Sequence, residues 1–147
     1  MYLRVLEERR KFTYYRLSQS EREEISRRLT RFLSNREEVL LAIIFGGFID
    51  SEIFRDIDLA IYTMYKVPIE EEYMYEYMLS EKLTMEIGVP VDTILLDYTP
   101  LNLRRKVLSK GRVIYEKYGW VKTKLDYTLL RESVDIEIKR RKALSLL

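Results

Sequence analysis

The chain of 147 residues contains no cysteine and no histidine. Without cysteine there is no disulfide, no thiolate zinc site and no thiol nucleophile. Without histidine there is no imidazole base and no imidazole metal ligand. Any chemistry must therefore rest on carboxylates, lysine, tyrosine, serine or a bound metal. No apolar run approaches the roughly 20 residues that a membrane-spanning helix needs, and no secretory leader is visible, so a cytoplasmic protein is expected. Neither sign of charge dominates: 26 Lys and Arg stand against 24 Asp and Glu, a net charge of +2. That balance disfavours a nucleic-acid partner. Asn and Gln are scarce while Glu, Lys and Arg are plentiful, a composition that leans towards a thermophilic source.

What is present is a folded domain of ordinary size. Hydrophobic residues make up 47% of the chain and charged ones 34%, which excludes disorder and suits one core. The most informative stretch is Ala42–Thr63, AIIFGGFIDSEIFRDIDLAIYT. An apolar run breaks at Gly46-Gly47, crosses a short mixed loop, and resumes through Asp56-Ile57-Asp58. Short apolar runs bounded by glycine read as buried strands. Side chains alternate along a strand, so Asp56 and Asp58 share one face while Ile57, Leu59 and Ile61 share the other. Two adjacent carboxylates repel and lose solvation, an arrangement that persists most easily around a cation. Hard oxygen ligands suit Mg²⁺ and Mn²⁺. The glycine pair lets the backbone approach a ligand and can turn N–H groups towards a phosphate. A nucleotide bound through Mg²⁺ follows as the expectation.

The remaining elements read from periodicity and punctuation. Phe12–Leu17 alternates and Tyr2–Leu6 is a candidate partner strand across Glu7–Lys11, with an extended arm or a short helix as rivals. Ser18 with Glu21, or Ser20 with Glu23, can form a capping box that opens a helix ending near Asn35, with Ile25, Leu29, Phe32 and Leu33 on one face. Strands are expected over Val39–Phe45, Asp56–Thr63 and Val91–Leu96. Between the last two a helix begins at Val67-Pro68, buries Tyr75, Leu79, Leu83 and Ile87, and ends at Gly88. The dense tyrosines and methionines of Tyr73–Met78 are read as packed core rather than as a base-stacking platform. Asp97 is read as a turn residue. A further helix spans Pro100–Lys110, followed by an edge strand at Val113–Tyr115. The longest helical pattern, Lys122–Leu147, would be about 37 Å long, more than the small sheet needs. Docking on a partner or on a second copy is expected of it.

The segments FGG…RDIDLAIY and VPVDTILL resemble the signature of the nucleotidyltransferase superfamily, the DNA polymerase β-like fold, and most of all its minimal nucleotidyltransferases. The family pattern is Gly-Ser, a spacer, Asp-x-Asp at the head of a strand, and a third carboxylate on a later strand, matched here by Asp92. Gly47 stands where the family has serine, and the spacer Phe48–Arg55 is short. The likeness covers roughly residues 18–118 and implies an α+β fold, a small mixed sheet with helices on one side, in a single domain. Residues 1–17 would add an arm or hairpin and residues 119–147 a C-terminal helix. It implies that Asp56, Asp58 and Asp92 are catalytic and hold two Mg²⁺ ions (or Mn²⁺), that Gly46 and Gly47 bind the phosphates, and that AMP passes from ATP or another NTP to an acceptor hydroxyl. Minimal nucleotidyltransferases pair with HEPN-domain proteins as toxin–antitoxin couples, so a HEPN partner is implied as well. The alternative is a catalytically degenerate relative that binds and neutralises a partner protein. Arg104, Arg105, Lys106, Lys110 and Arg112 form a basic cluster that reads as a solvated helix face; the alternative is contact with a triphosphate or an acidic partner, for which Lys110 and Arg112, flanking Gly111, are the better candidates.

Overall fold

The computed structural model describes residues 2–7 and 10–147, with side chains from residue 13 onward. Among the described residues there are two sheets and five α-helices. Strands β1 (Tyr2–Glu7) and β2 (Arg10–Arg16) pair antiparallel; their connection, within the expected Glu7–Lys11 crossing, lies outside the described residues. Helix α1 (Gln19–Ser34) follows. Its capping box is complete: Glu21 N donates to Ser18 Oγ at 3.2 Å and Ser18 N donates to the Glu21 carboxylate at 3.0 Å. Ile25, Leu29 and Leu33 form its buried stripe, and Asn35 is its C-cap.

The central sheet has the order β6-β5-β3-β7. Strand β3 (Leu41–Phe45) pairs antiparallel with β5 (Ile57–Tyr62) on one side and with β7 (Arg112–Glu116) on the other; β6 (Val91–Leu95) runs parallel to β5. Mixed pairing in a small sheet is as expected. The helices, however, cover both faces. Ala42 and Ile44 point into a core shared with α1 and with α3 (Glu72–Ile87). Leu41 and Ile43 point into a second core with α4 (Leu101–Lys110) and α5 (Val121–Ser145). A strand covered on both faces reads as an uninterrupted apolar run, which is what LAIIF is.

The segment Phe48–Arg55 is not a plain loop. Gly47–Asp50 forms a single turn of helix, α2, and Ile53–Phe54 forms β4, which pairs with β2 and ties the N-terminal hairpin to the domain. Arg22 of α1 fixes this connection: its guanidinium donates to the carbonyls of Phe48 and, at 2.7 Å, Glu52, and lies over the Phe48 and Phe54 rings.

Two sequence expectations change in the folded chain, those for Asp97 and for Tyr73–Met78, while the surplus length expected of the last helix is found. Asp97 is buried, and it accepts from Thr63 N and Thr63 Oγ1, both at 3.0 Å, and from Tyr65 N at 2.7 Å. It holds a turn in which Met64 and Tyr65 both take positive φ, 53° and 62°. Among the tyrosines and methionines of α3 only Tyr75 packs inward. Tyr73, Met74, Tyr77 and Met78 are exposed, because Tyr75, Leu79, Leu83 and Ile87 already supply the whole inward stripe at four-residue spacing. The long helix docks by its first half alone. Leu125 is buried and Leu129 half-buried, Arg104 pairs with Glu132 at 2.7 Å, and Arg105 donates to Ser133 at 2.9 Å. Beyond Ser133 no residue is buried, since α4, ten residues long, reaches only about 15 Å. Among the described residues no helix is long and apolar enough to cross a membrane.

Candidate active site

The end of β3 and the starts of β5 and β6 lie side by side. Phe45 is register-paired with Asp58, and Asp58 with Asp92. Paired residues on parallel strands about 4.8 Å apart present their side chains to the same face. Asp58 and Asp92 therefore stand next to each other on the α4–α5 side, at the end where β3 turns out of the sheet. Asp56 sits in the bend just before β5 and is half-buried.

That turn depends on Gly46, whose φ is +76°. A Cβ at this position would lie 2.5 Å from Asp58 Oδ2. Only glycine permits both the left-handed backbone and the close approach of the carboxylate. Gly47 is different: a Cβ there would meet only Phe54 Cβ, at 3.7 Å, an ordinary contact. The missing serine hydroxyl is thus a matter of sequence, not of space.

The electrostatics follow from this crowding. The Asp58 carboxyl is pushed up to about 6, by partial burial first and then by the charges of Asp56 and Asp92, against a smaller opposing effect of Lys106. Asp92 is raised by partial burial and by Asp56. Glu76 of α3 is raised by burial, by Glu72 and by Asp92, while its bond from Leu95 N pulls the other way. An acidic cluster whose members disfavour one another's ionisation is a receptive site for a cation.

Asp92 is more open than its apolar neighbours imply. Asp92 is exposed, whereas Val91, Thr93 and Leu95 are buried, because β6 is the sheet's edge and cover on its α4–α5 side reaches Ile94 but not Asp92. The three carboxylates share one end of the sheet and one electrostatic field. Among the described residues, though, no three acidic side chains stand close enough together to share one ion. Mg²⁺ seldom uses an all-protein cage; it takes one or two carboxylates and fills its sphere with water and phosphate oxygens. Asp58 and Asp92, hard donors side by side near the Gly46 turn, fit that habit, with Asp56 adjacent.

Of the basic cluster, Lys106 acts on Asp58, rather than the preferred candidates Lys110 and Arg112. Arg112 donates to Ser26 Oγ at 3.2 Å, and Arg104 is committed to Glu132. Glu76, which the sequence reading did not single out, could have been found only from helix phase: it lies on the flank of the inward stripe of α3. A separate cleft of about 690 Å³, lined by Arg22, Phe48, Ile49 and Ser51 among others, lies against α2 and contains none of the three carboxylates.

Comparison with known proteins points to one group. Residues 27–118 match the family described as polymerase beta, nucleotidyltransferase. No curated protein is similar in sequence. Among solved structures, a complex of a tri-AMPylated Shewanella oneidensis HEPN toxin with its MNT antitoxin is similar at a TM-score of 0.64 and 15% identity, covering 84% of this chain and 96% of that one. The toxin–antitoxin MntA–HepT is similar at 0.59 and 17% identity, covering 87% and 97%. A toxin–antitoxin structure with AMP-PNP is similar at 0.60 and 16% identity, covering 88% and 97%.

Proposed function

The chain belongs to the polymerase β nucleotidyltransferase family, and from that premise we propose that it transfers a nucleoside monophosphate, AMP from ATP, to a hydroxyl of a HEPN-domain partner, as the antitoxin of a toxin–antitoxin pair. The observation that carries the reading is the pairing of Asp58 with Asp92 beside the left-handed Gly46 turn. The structural neighbours add that one such complex contains an AMPylated HEPN toxin and another an ATP analogue. Residues 18–118 would be the catalytic core of a single domain acting in the cytoplasm, with the hairpin and α5 as additions.

In this reading the acceptor oxygen bonds to the α-phosphorus while the bond from that phosphorus to the bridging oxygen breaks. Pyrophosphate leaves with the electron pair. The acceptor proton passes to the Asp92 carboxylate, the carboxylate open to a second substrate. Asp58, with Asp56 beside it, faces the triphosphate side, and the Gly46-Gly47 backbone approaches the phosphates. Lys106 offsets phosphate charge. Two Mg²⁺ ions, or Mn²⁺, held by Asp56, Asp58 and Asp92, would supply charge neutralisation at the attacking and leaving oxygens.

Incubation with α-³²P-labelled ATP, Mg²⁺ and a HEPN-domain protein from the same source tests the proposal. Label should move to the partner and should fail to move with Asp58→Asn. Gly47, in place of a serine, favours the second reading, a partner-binding protein without transfer. Complex formation with no label on the partner would establish that reading instead.

A further inference from the structure

Helix α3 does more than cover the sheet. Three of its side chains, one turn apart, accept hydrogen bonds from alternate residues of the edge strand β6. Thr84 Oγ1 accepts from Val91 N at 2.9 Å, Ser80 Oγ from Thr93 N at 2.9 Å, and Glu76 Oε2 from Leu95 N at 2.7 Å. The match is geometric. Residues i and i+4 of a helix are about 6 Å apart along its axis, and alternate residues of a strand are about 6.6 Å apart. An edge strand leaves every second N–H without a partner strand. Here α3 supplies the acceptors that a fifth strand would have supplied.

Asp92 lies between two of these anchored residues. Its own backbone faces β5, where Pro90 O also receives Ile57 N at 2.8 Å. Among the described residues no side chain hydrogen-bonds its carboxylate, so where the main chain holds Asp92 bears directly on where that carboxylate lies. The main chain on both sides is held by Thr84 and Ser80. We propose that Thr84 and Ser80 are positioning residues for Asp92, fixing β6 so that the Asp92 carboxylate stays beside Asp58. This inference rests on the nucleotidyl-transfer reading, in which Asp92 serves the acceptor. Displacing a reacting group by about 1 Å can cost on the order of a hundredfold in rate.

The test compares Thr84→Val, which keeps the shape but removes the acceptor, with Thr84→Ser, which keeps the hydroxyl. Thr30→Val is the structural control, because Thr30 Oγ1 donates to Ile114 O at 2.9 Å at the opposite edge of the sheet. Four quantities are measured: kcat, KM for ATP, Mn²⁺ bound in the presence of AMP-PNP by electron paramagnetic resonance, and the melting temperature. Thr84→Val should lower kcat by about tenfold or more, leave KM for ATP within about twofold, and reduce bound Mn²⁺ from about two ions to about one. Thr84→Ser should restore kcat and both ions, and Thr30→Val should lower only the melting temperature. If Thr84→Val proves too unstable, Ser80→Ala with Ser80→Thr as rescue gives the same contrast. A Thr84→Val protein that loses stability but keeps its kcat and both ions overturns the proposal and makes the ladder a matter of edge protection alone. A wild type that neither binds Mn²⁺ with AMP-PNP nor transfers label shows instead that the transfer reading has failed, and the proposal goes with it.

Discussion

Gly46 and Asp58 are fitted to each other: a single carbon added to Gly46 would stand 2.5 Å from the Asp58 Oδ2 oxygen. The turn that leaves β3 and the carboxylate that opens β5 occupy one shared space. The backbone at Gly46, with φ +76°, is the conformation that makes room.

Gly46→Ala should therefore cost about 1–3 kcal/mol of stability, through both the left-handed backbone and the clash. It should also abolish nucleotide transfer, since Asp58 must move. Urea unfolding together with a labelling assay checks this. A variant that melts and labels like the wild type would show that the turn is not tied to the site.

Asp58→Asn separates stability from function. The folded carboxyl is raised to about 6, above an unfolded value near 4. A raised carboxylate contributes stability that is full below about pH 4 and lost as pH rises through about 6. Without metal, the wild type should match Asp58→Asn at pH 4 and be weaker at pH 8, by on the order of 1 kcal/mol after allowing for solvent screening at this half-open site. Mg²⁺ with ATP should raise the melting temperature of the wild type only. The same titration makes transfer rise with pH through about 6, because a metal ligand must be ionised. Parallel melts from pH 4 to 8 decide the matter. Curves that do not diverge would mean that the acidic cluster carries no strain.

Gly47→Ser should be well tolerated, because the added Cβ meets only Phe54 at 3.7 Å. A new hydroxyl donor to phosphate is worth about 0.5–1.5 kcal/mol. The Kd for AMP-PNP with Mg²⁺ should then fall by roughly twofold to tenfold, measured by calorimetry. Unchanged affinity would indicate that the phosphates do not lie over this turn.

Asp97→Ala removes the acceptor for Thr63 N, Thr63 Oγ1 and Tyr65 N in a buried site. The expected loss is about 2–4 kcal/mol. Because Asp97 lies at the far end of β5 from Asp58, kcat below the melting transition should stay at the wild-type value. A selective fall in kcat would place Asp97 in the chemistry after all.

On α5, Tyr127, Leu130, Val134 and Ile138 are all exposed and follow one helical stripe opposite the docked Leu125 and Leu129. Leu130→Lys with Val134→Lys should change stability by less than about 1 kcal/mol yet weaken binding of a HEPN partner or self-association, read by sedimentation. Unaltered assembly would leave this stripe without a partner role.

Local signals were enough for much of this. Ser18 and Glu21 wrote the start of α1, Gly88 the end of α3, and the glycine pair followed by Asp-x-Asp wrote a strand, turn and strand with carboxylates at its head. Each depends on residues a few positions apart, where the backbone's own preferences and side-chain alternation decide the outcome. What needed the tertiary structure was everything set by register between distant segments. Only the β5–β6 pairing put Asp92 beside Asp58, and only its edge position opened Asp92 to solvent. Asp97 became a buried anchor because Thr63 and Tyr65, more than thirty residues earlier in the chain, brought their N–H groups to it. Lys106 acts on Asp58 because α4 crosses that face of the sheet, and Tyr73, Met74, Tyr77 and Met78 stayed exposed because among the described residues nothing covers that face of α3. A residue type and its spacing determine which way a side chain points within its element; what it then meets is decided by the packing of elements that the local sequence does not encode.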